Sequence, residues 1–158
     1  MLIVADTGPL ISLAVIGQLD LLDALFYQVA IPEAVWYELE TLIEEQGIPE
    51  FSRLRNKVMP VSHYQEINPD LGPGEKEAII LYDEIQADRL LIEDNGARLF
   101  AEARGIHCIG TLGMLIEAKN EGLIPTLRHF FSELIAKNRY FALSLLNRIL
   151  VLNSEQPL

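Results

Sequence analysis

The sequence predicts an α/β fold, a mostly parallel sheet of four or five strands between two layers of helices. Three observations predict it. Short apolar runs of four or five residues alternate with segments of helical periodicity, and strands buried on both faces read as such unbroken runs. Acidic residues follow two of those runs, at the sheet edge where open parallel sheets gather their ligands. Half of the 158 residues are apolar, enough for one domain with a real core.

In chain order, Leu2 to Ala5 reads as a short buried strand that ends on Asp6. Thr7 to Ala14 begins a helix, with Pro9 tolerated early in the first turn. Leu19 to Leu25 reads as a second helix, Gln28 to Ile31 as a strand, and Pro32 starts a helix through about Glu45. A polar stretch with Gly47, Pro49 and Pro60 follows, in which Val58 to Val61 is a candidate strand. Leu71-Gly72-Pro73-Gly74 is a turn, and Glu75 to Gln86 a strong helix. Arg89 to Ile92 is a strand, Asn95 to Arg104 a helix, Ile106 to Ile109 a strand and Thr111 to Asn120 a helix. From about Pro125 the chain reads as helical to near Leu152, as two helices split around Asn138. The expected organisation is a core over residues 1–125 and a helical extension over 126–158 packed on it.

Composition narrows the function. Lys and Arg number 12 against 23 Asp and Glu, a net charge of −11, which is the wrong sign for a protein that grips phosphates with its own surface. Acids that hold cations, or a partner with basic surface, would reverse that sign locally. One cysteine, Cys108, excludes an internal disulfide and a cysteine-built zinc site. The first apolar run lacks a basic start and is too short for a signal peptide. The greasy C-terminal run is broken by Arg139, Asn147 and Arg148, so the expectation is a soluble cytoplasmic protein with no membrane partner.

The acids are where the pattern becomes chemical. Asp6 and Asp94 both follow strands and are placed to converge at one edge. On the Pro32 helix, Glu38 has Ala34, Val35, Thr41 and Leu42 as its neighbours three and four residues away, so it lies along the buried-looking stripe, with Glu40 nearer its edge. Glu75 heads a line of Ala78, Ile79 and Tyr82 on its helix, although an acid in a first turn also suits the helix dipole. Four carboxylates without useful histidines or cysteines describe a hard-cation site, for Mg²⁺ or Mn²⁺. Such ions activate water and neutralise charge in phosphodiester hydrolysis. Among the lesser candidates, Thr7 reads as a helix cap, Glu93 as a solvated loop acid with a metal role as the alternative, and Asn95 as a cap or a ligand of metal-bound water.

These residues resemble the PIN-domain family, nucleases with a Rossmann-like core. An Asp ends strand one in Val4-Ala5-Asp6-Thr7. A Glu follows a helix start in Pro32-Glu33-Ala34-Val35-Trp36-Tyr37-Glu38. A third acid opens a central helix in Gly74-Glu75-Lys76-Glu77-Ala78-Ile79, and a fourth follows the next strand in Leu91-Ile92-Glu93-Asp94. The Asp-Thr-Gly-Pro-Leu-Ile, Gly-Glu-x-Glu-Ala-Ile and Gly110-Thr111-Leu112-Gly113 segments are most similar to a prokaryotic subgroup of PIN-like proteins described as VapC-type toxins. The resemblance spans roughly residues 1–125. It implies a three-layer α/β/α fold and a Mg²⁺- or Mn²⁺-dependent endoribonuclease. Asp6, Glu38, Glu75 and Asp94 would be its catalytic metal ligands. RNA would be the substrate, an antitoxin protein a partner, and a homodimer the assembly. Two departures stand out: many PIN nucleases carry Asp at the place of Glu75 and Thr at that of Ile92.

Three other readings are open to the same residues. Asp6-Thr7-Gly8 is also the aspartic-protease triplet, but that fold is all-β and this chain turns helical at once. Phosphatases of the haloacid dehalogenase type carry a second Asp two residues after the first, where Gly8 stands. A catalytically degenerate PIN-like protein, acting as a regulatory protein- or RNA-binding module, is the non-enzyme alternative.

Overall fold

The computed structural model describes residues 1–158, Pro49 through its backbone alone. Five strands form one all-parallel sheet: β1 (Leu2–Ala5), β2 (Gln28–Pro32), β3 (Val58–Met59), β4 (Arg89–Leu91) and β5 (Cys108–Ile109), in the order β3-β2-β1-β4-β5. Ile3 aligns with Val29 on one side of β1, and Val4 with Leu90 on the other. The chain builds outward from β1 through β2 to β3, then crosses back to build β4 and β5. The order therefore reverses between β1 and β4, which is where an open α/β sheet leaves a crevice beyond its carboxyl ends. Asp6 leaves β1 there, and its backbone N–H donates to the Leu91 carbonyl at 2.9 Å.

Eight helices cover the sheet: α1 (Thr7–Val15), α2 (Leu21–Leu25), α3 (Glu33–Gln46), α4 (Pro73–Ile85), α5 (Asn95–Ala103), α6 (Thr111–Asn120), α7 (Arg128–Ala136) and α8 (Leu143–Leu152). Side chains alternate across β1. Ile3 and Ala5 join a core with Leu10 and Leu13 of α1, Leu39 of α3 and Leu115 of α6. Val4 joins a second core with Ala78, Ile79 and Leu81 of α4 and Ala97 and Ala101 of α5. Two cores on opposite faces of one sheet are the three layers that the alternating runs predict.

Several boundaries differ from expectation. Residues 49–57 are not merely a polar stretch: Pro49–Lys57 is a 3-10 helix whose Phe51 and Leu54 are buried. The candidate strand at Val58 stops at Met59 instead of reaching Val61. The strand before α6 begins at Cys108, not Ile106. Helix α4 starts at Pro73, because Pro suits a first helical position and the Glu75 carboxylate reaches back to accept from the Gly72 N–H at 2.9 Å. Asn138 adopts a left-handed φ of 60° and separates α7 from α8.

Phe130, Phe131 and Leu134 of α7 and Leu146 and Leu150 of α8 belong to the same buried cluster as β1. Beyond α8, Glu155 accepts from Lys119 Nζ at 2.6 Å and from the N–H groups of Leu127 and Arg128, each at 2.8 Å. Burial alone would raise the Glu155 pKa, yet these hydrogen bonds outweigh it and lower it. The tie is therefore present above the ordinary carboxylate range and is lost as pH falls through the lowered pKa. Glu155→Ala should cost about 2 kcal/mol and lower the melting temperature by about 4–8 °C. A melt within a degree of wild type would show that the tail contributes nothing. Among the described residues, no helix is long and apolar enough to cross a membrane.

Candidate active site

Asp6 stands at the carboxyl end of the central strand with 6% of its surface exposed. Its pKa is raised from 3.8 to about 7. Burial is the largest cause; the Thr7 N–H opposes it, and the charges of Glu75, Glu38 and Asp94 add to it in that order. All three other sequence-selected acids thus press on Asp6. The structure brings the four together from four different elements.

Each of the other three is held by a donor. Glu38, on the half-buried stripe of α3, accepts from the Thr7 hydroxyl and from the Gly74 N–H at 3.2 Å. Thr7 therefore fastens Glu38 and does not cap α1. Gly74 makes that approach feasible: a Cβ there would lie 2.7 Å from Glu38 Oε1. Glu75 is half-buried, with Oε2 engaged by Gly72. Asp94 is exposed, and its Oδ2 caps α5 by accepting from the Ala97 N–H at 2.9 Å. The cap is Asp94, and Asn95 is the first residue of the helix.

Among the described residues, no Lys, Arg or His pairs with any of these four acids. Nor do three of the carboxylates close into a ready-made metal cage among the described residues. Glu38 has both oxygens engaged by donors, while Glu75 and Asp94 have one each, so the outer acids are held by the protein itself. The donor set still fits a hard divalent cation. It is all oxygen, and such ions retain several waters, so a wider ring of acids serves them. Burial first, and the three neighbouring acids after it, make the ionised form of Asp6 costly when no cation is beside it.

Glu93 is not a solvated loop acid. It is half-buried and accepts from Arg139 at 3.0 Å, from Ser12 at 3.3 Å and from the Thr111 hydroxyl. Nothing local signals this arrangement, since its cation stands 46 residues away. The remaining candidates are ordinary. Trp36 is core, its indole N–H donating to Glu40 at 2.7 Å, while Arg98 pairs with Glu102 and Arg104 with Asp83. His63, His107 and His129 are exposed.

The family model DUF3368, described as a PIN domain, matches residues 2–155 and so includes the helical extension. Among solved structures, a PilT N-terminus domain protein from the hyperthermophilic archaeon Sulfolobus solfataricus P2 is similar in fold. The TM-score is 0.56 at 21% identity, over 75% of this chain and 93% of that one. No curated protein matches the chain.

Proposed function

The chain belongs to the DUF3368 family of PIN domains, and we propose that its acidic cleft is the site of a Mg²⁺- or Mn²⁺-dependent ribonuclease that hydrolyses RNA phosphodiester bonds. One observation carries this reading. Four carboxylates from four elements converge where the strand order reverses, with no protein cation among the described residues to neutralise them. PIN domains are generally nucleases, and hard oxygen donors are what their chemistry needs.

Asp6, Glu38, Glu75 and Asp94 would hold the ion. When bound, it supplies activation of the attacking water and neutralisation of charge on the phosphate. The chain's own residues do the rest. Asp6 forms the buried floor. The Thr7 hydroxyl and the Gly74 N–H fix where the Glu38 carboxylate stands. Gly72 and Ala97 each pin one oxygen of Glu75 and Asp94, which sets the direction of the other. Asp94 is the exposed member, so in this reading a phosphodiester approaches from its side. The acidic surface sets a limit, since the cleft attracts RNA only after a cation has reversed its local sign.

Millimolar Mn²⁺ should raise the melting temperature by about 5 °C, from roughly 2.7 kcal/mol of linkage at a hundredfold excess over the dissociation constant. The same protein should cut a mixed RNA pool. Indifference to Mn²⁺ together with no cleavage would favour the second reading, a degenerate PIN-like binding module. The net charge of −11 and the donor attached to each outer carboxylate are the observations on its side.

The toxin half of a toxin–antitoxin pair is the biological role in this proposal, with a basic antitoxin as the partner an acidic chain would take. A small basic or DNA-binding reading frame beside the gene would support it, and the absence of one would favour a free-standing enzyme.

A further inference from the structure

Arg139 sits in the link between α7 and α8, in the helical extension, yet its guanidinium reaches the first turns of α1. Its Nε donates to the Ser12 hydroxyl at 2.9 Å, and one terminal nitrogen donates to the Gly8 carbonyl at 3.1 Å and to Glu93 at 3.0 Å. Glu93 is gripped from three elements at once: Ser12 of α1, Thr111 of α6 and Arg139 of the extension. It also packs against Gly8, where a Cβ would lie 3.1 Å from Glu93 Oε2. Gly8 is two residues from Asp6, and Glu93 is next to Asp94. A fifth carboxylate therefore stands against the first turn of α1 that follows Asp6, and the extension supplies the one cation that pairs with it among the described residues.

We propose that Arg139 is a positioning residue that neutralises Glu93 and holds it out of the metal site, so that the extension sets the charge of the cleft. The proposal rests on the metal-site reading above. The pair is mostly shielded from water, with side-chain exposures of 26% and 15%, so its charges act on the neighbouring cleft with little screening. Without Arg139, Glu93 keeps only the Ser12 and Thr111 hydroxyls as donors and is an uncompensated acid that attracts the ion in competition with Asp94. Without Glu93, Arg139 is an uncompensated cation that repels the ion.

Calorimetric titration of Mn²⁺ into the metal-free full-length protein at fixed ionic strength separates these states. Arg139→Gln should bind Mn²⁺ about fivefold tighter while cleaving RNA at least about tenfold more slowly. Glu93→Gln should bind it about fivefold more weakly, and the double variant should return to within about twofold of wild type. Arg139→Lys keeps the charge and should keep wild-type Mn²⁺ affinity. A merely structural Arg139 would lower the melting temperature without tightening the metal. Wild type binding Mn²⁺ while Arg139→Gln binds it equally or more weakly overturns the proposal. Where Arg139→Gln does not fold, an unchanged affinity in Glu93→Gln overturns it instead. Wild type that binds no Mn²⁺ sinks the metal-site reading itself, and this proposal with it.

Discussion

Asp6→Asn should melt higher than wild type above neutral pH without metal, and should lose RNA cleavage. The folded-state pKa of Asp6 is about 7 against 3.8 for the ordinary residue. Below 3.8 both states hold the proton and the shift costs nothing. As pH rises toward 7 the unfolded chain gives up the proton while the fold retains it, so stability falls. Above about 7 the fold carries the full penalty of an ionised buried carboxylate, on the order of 4 kcal/mol at 1.36 kcal/mol per pH unit. Asparagine has no charge to bury. Its metal-free melting temperature should exceed that of wild type by roughly 10 °C near pH 8.5 and match it near pH 4. Cleavage should fall at least about 100-fold, since loss of an outer partner of a metal ligand alone costs 10–100-fold. Melting curves across that pH range check the first part, and cleavage of a mixed RNA pool the second. A variant that melts below wild type at high pH would mean that Asp6 is stabilised in its charged form by something other than a cation.

Gly74→Ala separates stability from activity in the opposite way. Gly74 lies in the first turn of α4, with both Glu38 oxygens within 3.0 Å of where a Cβ would stand. Alanine suits a helix better than glycine by roughly 0.5–1 kcal/mol. The added methyl would meet Glu38 Oε1 at 2.7 Å, and what must move is the tip of a flexible side chain. Glu38 then forfeits the hydrogen bond from the Gly74 N–H, worth about 1 kcal/mol, which offsets the helix gain. The melting temperature should stay within about 3 °C while cleavage drops at least about tenfold and Mn²⁺ affinity with it. Paired melting and cleavage assays decide. Unaltered cleavage would show that the position of Glu38 does not matter to the reaction.

Much of the fold was legible because it depends on local pattern. Leu2–Ala5 and Gln28–Pro32 are short, unbroken and apolar, as strands buried on both faces must be. Asp6, Glu38, Glu75 and Asp94 stand out as candidates because two follow strands and two lie along apolar helix stripes. The failures have equally specific causes. The 3-10 helix at Pro49–Lys57 buries Phe51 and Leu54 within an otherwise polar run, too few anchors to reveal a period. Residue type points to Thr7 and Asn95 as caps, but the capping position falls one residue earlier in each case, on Asp6 and Asp94. Glu93 looked solvated because Arg139 and Thr111 meet it only through tertiary packing, 46 and 18 residues away in sequence. That network forms only in the folded chain, and no window along the sequence contains it.

An anomalous difference map from crystals grown with Mn²⁺ tests directly whether Asp6 holds a cation. A peak is expected beyond the carboxyl ends of β1 and β4, bonded to Asp6 and to at least one of Glu38, Glu75 and Asp94 at about 2.0–2.2 Å. Waters should fill the rest of its shell. A map with no peak beside Asp6 at saturating Mn²⁺, or with the ion held elsewhere on the acidic surface, would contradict that expectation.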